Sequence, residues 1–251
     1  MKKSVLGTFG ACALVAVGMS ACGGAGPQAA ESAPAASAGP AASAASTPTP
    51  TPTPTAKAYT ADELAAIVGQ VRDAADRRLS VLPSGDIKTT LDQTKSMLAS
   101  IDVKPAECKE LAAASTVPSV DGATMAVGKS TDAGTGAVTA LSLVAGLDQD
   151  FLARIKDQPA QLAKCSSMTM AVSGMEVAVT VTPVEGVGSV PGTFAYRTDT
   201  ALPDGQKQST VTAQVVQKGV VVTSVASGGA SEDDAVRRAG ALLDAAGALV
   251  K

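Results

Sequence analysis

From Gly23 to Ala58 the chain is built almost wholly of Ala, Ser, Thr, Pro and Gly, with Glu31 and Lys57 as its only charges. Such a stretch has too little large apolar surface to offset the entropy of ordering it, so it is expected to remain outside any core. The alternation Thr47-Pro48-Thr49-Pro50-Thr51-Pro52-Thr53-Pro54-Thr55 adds stiffness. Each proline fixes φ and favours the polyproline conformation, at about 3.1 Å per residue. Fully stretched, the spacer reaches on the order of 100 Å. Its threonines are candidate O-glycosylation sites on composition alone. Folding is thereby confined to residues 59–251, a length that buries a single core.

Before the spacer, Lys2 and Lys3 precede an apolar run from Val5 to Met19. At about 15 residues the run falls short of the roughly 20 that a hydrocarbon core requires. Its length and basic flank predict a secretory leader over residues 1–21. Met19-Ser20-Ala21-Cys22 resembles the bacterial lipobox, with Met19 in place of the usual leucine. That resemblance implies that the Cys22 thiol is acylated and becomes the new N-terminus. An ordinary leader or an uncleaved anchor, with Cys22 incidental, is the alternative. Two or three acyl chains, at about 0.8 kcal/mol per buried methylene, hold a protein to a membrane without a spanning helix. The expected organisation is a leader (1–21), a spacer from the lipidated Cys22 (22–58) and an extracytoplasmic domain (59–251). The protein is then anchored by lipid to the outer face of the cell membrane.

The formal charge is −3. Without Lys2 and Lys3 the remainder has 18 basic side chains against 23 acidic ones, near −5. This argues against nucleic acid as a partner, which demands a basic patch. The chain has no histidine. That removes the usual general base at neutral pH, every triad built on imidazole, and the commonest metal ligand. With Cys108 and Cys165 the only cysteines of the domain, no four-ligand zinc site of histidine and cysteine is available. The chain reads as a non-enzyme, and no cofactor is expected.

The domain opens with Thr60-Ala61-Asp62-Glu63, a capping-box signature, followed by Leu64, Ile67, Val68 and Val71 at helical spacing. Pro83-Ser84-Gly85-Asp86 leads into a second helical stretch with Leu91, Met97 and Leu98. Pro105-Ala106-Glu107-Cys108 reads as the first turn of a third. Strands are expected at Thr124–Val127 and Ala137–Val144, separated by the turn-rich segment Lys129–Gly136. A helix follows near Asp148–Lys164, interrupted or restarted at Pro159 and ending at Cys165. Met168, Met170 and Val172, a Ser173-Gly174 turn, then Val177, Val179 and Val181 give a hairpin pattern. Strands near Thr193–Thr198, around Val211–Val215, and at Val220–Val225 after Lys218-Gly219 continue the sheet. Ser231-Glu232-Asp233-Asp234 caps a closing helix with Val236, Ala239, Leu243, Ala246 and Val250. The fold class is α+β: an antiparallel sheet flanked by N-terminal, central and C-terminal helices.

An extracytoplasmic location favours a structural disulfide between Cys108 and Cys165. Two buried free thiols, or a redox pair, are the alternatives; neither has the CxxC spacing that lowers a thiol pKa. The glycine pairs Gly186/Gly188 and Gly228/Gly229 read as turns rather than phosphate cradles. Asp148, Asp150 and Asp157 do not have calcium-loop spacing, and Asp148 and Asp150 suit a helix start. The Met168/Met170 stripe reads as core.

The spacer, the helical part with "VKPAEC", the helix running into "LAKCSSMTMAV", the paired strands, "VVVTSVA" and the amphipathic last helix resemble, in this order, an actinobacterial lipoprotein family. That family is related to the sensor-like extracellular domain of some mycobacterial receptor Ser/Thr kinases. Those domains carry two disulfides, whereas only Cys108 and Cys165 are available here. The resemblance implies a non-catalytic ligand-sensing or binding domain on a sheet with flanking helices. The ligand expected for a sheet–helix cleft is apolar or derived from the cell envelope; a structural lipoprotein that docks another envelope protein is the alternative.

Overall fold

The computed structural model describes residues 57–109, 122–172, 175–202 and 205–251. The leader, Cys22, the Ser173-Gly174 turn and nearly all of the spacer lie outside the described residues. The elements are α1 (Ala61–Gln70), β1 (Ser80–Val81), α2 (Ser84–Ser100), β2 (Asp102–Lys104), β3 (Thr124–Asp132), β4 (Ala137–Ala145) and α3 (Gln149–Lys164). They continue with β5 (Ser167–Val172), β6 (Met175–Pro183), β7 (Phe194–Ala201), β8 (Lys207–Gln217), β9 (Val220–Ser227) and α4 (Glu232–Leu249). The strands form one nine-stranded sheet in the order β1-β3-β4-β9-β8-β7-β6-β5-β2, with every neighbouring pair antiparallel. The α+β class with N-terminal, central and C-terminal helices is the architecture observed.

Local chemistry sets the ends of these elements. Thr60 and Glu63 complete a reciprocal capping box at α1, and Ser231 accepts from the Asp234 amide at the start of α4. Lys218 and Gly219 both have positive φ (49° and 79°), the backbone a two-residue turn needs between β8 and β9.

Three expectations need correction. The strand predicted at Thr124–Val127 runs to Asp132, because the turn begins only where the Asp132 carboxylate accepts the Gly134 and Thr135 amides. Pro105 lies in the turn that leads into a helical segment at residues 108–109 rather than within its first turn, with residues 110–121 outside the described ones, and the short strands β1 and β2 were not foreseen. α3 passes through Pro159 without a break, because its buried stripe of Phe151, Ile155, Gln158 and Leu162 continues across the proline.

One sheet face is covered by α1 and α4. Leu141 and Leu143 of β4, Val220 and Val222 of β9, and Val211, Ala213 and Val215 of β8 meet Leu64, Val68, Leu242 and Leu243 there. Small residues let α4 lie close. A Cβ on Gly240 would sit 2.6 Å from the Gly188 backbone nitrogen in the β6–β7 connection, so only glycine fits. On this face Ser224 is fully buried and donates to the Ala239 carbonyl at 2.7 Å. The buried Arg238 guanidinium meets Asp234 and the carbonyls of Val138, Ser227 and Gly228. The first and last elements are latched together: the Tyr59 hydroxyl donates to the Lys251 carbonyl and accepts from the Lys251 amide.

Between α1 and β1, Asp73 organises a tight loop. Burial pushes its carboxyl up, but donation from Ser130 Oγ, the Arg77 amide and guanidinium and the Ala75 amide outweighs burial and holds the pKa at about 2. A depressed carboxyl adds stability that is complete above its unfolded pKa and disappears as pH falls through the folded value. The shift corresponds to about 2 kcal/mol. Asp73→Asn is therefore expected to be less stable than wild type by about 2 kcal/mol at pH 6, with the gap closing between pH 4 and pH 2. Urea denaturation across that range checks it, and a gap independent of pH would contradict it.

Candidate functional site

α3 covers the opposite face of the sheet. Its N-terminus is fixed by Asp148, whose side chain accepts the Phe151 amide at 2.6 Å. Its C-terminal cap is Cys165, bonded to Cys108 with Cα atoms 5.7 Å apart and both residues buried. The bridge spans 57 residues, worth about 4 kcal/mol in the chain-entropy account. One end of α3 is thus held covalently within a cluster of Val103, Met168, Val179, Val181 and Leu162. The other end is held by Phe151, Leu152 and Ile155 against Val144 and Val221.

Between these two apolar anchorages the sheet presents polar side chains. The register sets them in rows: Val144, Val221 and Val216 side by side, then Ser142, Thr223 and Gln214, then Ala140, Val225, Thr212 and Tyr196. The first row lies in the apolar cluster under Phe151 and Ile155. The second is continued by Val127 on β3 and Phe194 on β7, but its three central members are polar, and Ser142, Thr223 and Gln214 are 1%, 1% and 4% exposed. Gln214 Nε2 donates to Thr223 Oγ1 at 2.9 Å. Tyr196 hydrogen-bonds the Thr212 side chain, and burial pushes its phenol up to about 12.

Among the described residues, three buried side-chain atoms of this region have no hydrogen-bond partner: Ser142 Oγ, and on α3 Gln158 Oε1 and Arg154 Nε, the first two belonging to neutral groups. Gln158 is 7% exposed and occupies the buried stripe three residues after Ile155 and four before Leu162. A neutral buried acceptor or hydroxyl left unpaired costs about 1–3 kcal/mol, which sets both apart from the satisfied polar groups of the α4 face. Pro159, lacking an N–H, also leaves the Ile155 carbonyl without its helical donor. Arg154, one turn before Gln158, lays its guanidinium 5.5 Å from the Phe151 ring centre, with a buried and unpaired Nε.

The seam is therefore a strip of neutral hydrogen-bonding groups between two apolar surfaces. Among the described residues no cluster of His, Cys, Asp and Glu is arranged to hold a metal ion.

Of the site residues expected from sequence, Cys108 and Cys165 meet at the end of α3, while Cys22 lies outside the described residues. Asp148 and Asp150 serve the first turn of α3, and Met168 is core. Ser142, Gln158, Thr212, Gln214 and Thr223 were missed. The available signal was Gln158, a lone amide at an apolar position of α3.

A separate concavity of about 380 Å³ lies within the β6–β7 connection, lined by residues 183–190 and 192–195. Asp244 of α4 pins that connection by accepting the Ser189 and Val190 amides. Its lining comes from one stretch of chain, and it is not the sheet–helix cleft expected from the sequence.

No protein-family model and no curated protein matches the chain. Among solved structures it is similar to the extracellular domain of PknH from Mycobacterium tuberculosis, at 16% identity and a TM-score of 0.45, covering 76% of this chain and 97% of that one. It is also similar to an uncharacterized protein of Mycobacterium smegmatis, an Rv0999 ortholog, at 16% identity and a TM-score of 0.39, covering 78% and 98%. The resemblance read from the sequence points to the same kind of domain as the first.

Removing one partner of the Gln214–Thr223 bond leaves the other buried and unpaired, whereas removing both does not. Gln214→Leu is expected to lower stability by about 1–3 kcal/mol, and Gln214→Leu with Thr223→Val by less than about 1 kcal/mol. Chemical denaturation of both variants checks this; equal losses would contradict it.

Proposed function

We propose that this protein is a lipid-anchored, extracytoplasmic binding protein without catalytic activity. Its ligand has an apolar body and polar groups, and it is held in the seam between α3 and strands β4, β9 and β8. The observation that carries this reading is the pair of buried, unpaired groups, Ser142 Oγ and Gln158 Oε1, on a polar strip between two apolar clusters. A fold keeps unsatisfied groups at a cost in stability, and binding sites are where such costs are tolerated. The missing histidine and the polarity of the seam support holding rather than transformation.

The leader, Cys22 and the spacer support the location. A tether on the order of 100 Å lets the domain sample the envelope well away from the lipid surface. Docking of another envelope protein finds less support: among the described residues only Met175 and Leu202 are large apolar side chains that are exposed.

The test is mass spectrometry of the full chain extracted from its own membranes. The intact mass is expected to show a diacylglyceryl group on Cys22, and an organic extract to contain one co-purifying amphiphile at near-equal molar amount. Ser142→Ala, which removes an unsatisfied hydroxyl, is expected to raise stability by about 1 kcal/mol while retaining less of that molecule. An unmodified Cys22 would overturn the anchor, and an extract without a ligand would overturn the binding reading.

A further inference from the structure

The seam has one pole that its neutral groups do not explain. Arg154 lies on the Gln158 flank of α3, four residues earlier and so one turn away. Its guanidinium lies over the Phe151 ring at the edge of the apolar cluster formed with Val144 and Val221, and its buried Nε has no acceptor among the described residues. Among the described residues no carboxylate pairs with it or with Arg78, whereas arginines 72, 77, 197, 237 and 238 have acidic partners. The polar sheet rows beneath α3 present serine, threonine, glutamine and tyrosine and no acid. A guanidinium stacked on an aromatic ring and partly withdrawn from water is a fixed planar fork, suited to a carboxylate or phosphate.

We propose that Arg154 is the head-group site of the seam and that the ligand is an anionic amphiphile, an acyl chain ending in a single carboxylate or phosphate. This inference rests on the binding reading above and adds the charge of the ligand. The anionic oxygens pair with the Arg154 guanidinium. A hydroxyl or protonated group near the head donates to Gln158 Oε1, and the acyl chain follows the apolar surface of Val144, Val221, Phe151 and Ile155. Admission of the chain requires α3 to move off the sheet at its N-terminal half. That half is held by three apolar side chains, while the other end is tied through Cys165.

The test is a binding series on the full mature chain with four probes: oleate, its uncharged methyl ester, oleoyl lysophosphatidate and inorganic phosphate. Oleate or oleoyl lysophosphatidate is expected to bind at least tenfold more tightly than the ester, and the stronger of the two identifies carboxylate or phosphate as the head group. Arg154→Gln is expected to erase that tenfold preference, so that acid and ester bind this variant equally, with Arg154→Lys intermediate. Equal binding of acid and ester, or a preference that survives Arg154→Gln, would overturn the head-group assignment and leave the seam as a neutral site. Inorganic phosphate binding as tightly as the amphiphiles would overturn the role given to the acyl chain. Failure of every amphiphile, ester included, would remove the binding reading together with this one.

Discussion

The structure depends on the burial of β9 from both sides. Every residue from Val220 to Ser227 is buried, so this inner strand has a helix layer over each face. A strand in that position turns side chains alternately into two interiors rather than into one interior and solvent. Its polar members then need partners on whichever side they point. Ser224 faces α4 and finds the Ala239 carbonyl. Thr223 faces α3 and finds Gln214, beside a serine that finds nothing.

That contrast separates the two faces by purpose. Under α1 and α4 the layer is dry and closely fitted: small residues on α4 bring it near the sheet, Gly240 touches the Gly188 backbone, and a buried arginine is neutralised by Asp234 and three carbonyls. Under α3 the layer is fitted at its ends and polar between them. A protein selected for stability alone would put leucine at Gln158 and alanine or valine at Ser142, which would remove unsatisfied groups at little cost in packing. The departure from local consistency falls where a second molecule would complete the hydrogen bonds.

Much of the fold was legible because its signals are local. The Thr60–Glu63 box, the Asp148 and Ser231 caps, and the alternation through Val177, Val179 and Val181 each depend on residues a few positions apart. The seam was not legible because alternation reports which side chains share a face, not what covers that face. Thr212 and Gln214 alternate in sequence with Val211, Ala213 and Val215, and they point to the other face. What lies there is α3 rather than water, a fact fixed by chain topology across dozens of residues. The limits of β3 and α3 failed for a related reason. Ser130 is held in its strand by Asp73, 57 positions away, and α3 is carried past Pro159 by packing on the sheet. The short strands β1 and β2 pair with partners far along the chain and have too few residues to show a period.

The latch between Tyr59 and Lys251 places the first residue of the domain beside the end of α4, on the closely fitted side of the sheet. The seam is on the other side. A crystal structure of the chain taken from its native membrane without refolding tests this division of the two faces most directly. The account predicts a molecule between α3 and strands β4, β9 and β8, with polar atoms within hydrogen-bonding distance of Ser142 Oγ and Gln158 Oε1 and an unchanged α4 layer. A closed seam with those two groups still unpaired, or a ligand seated instead in the β6–β7 connection, would contradict it.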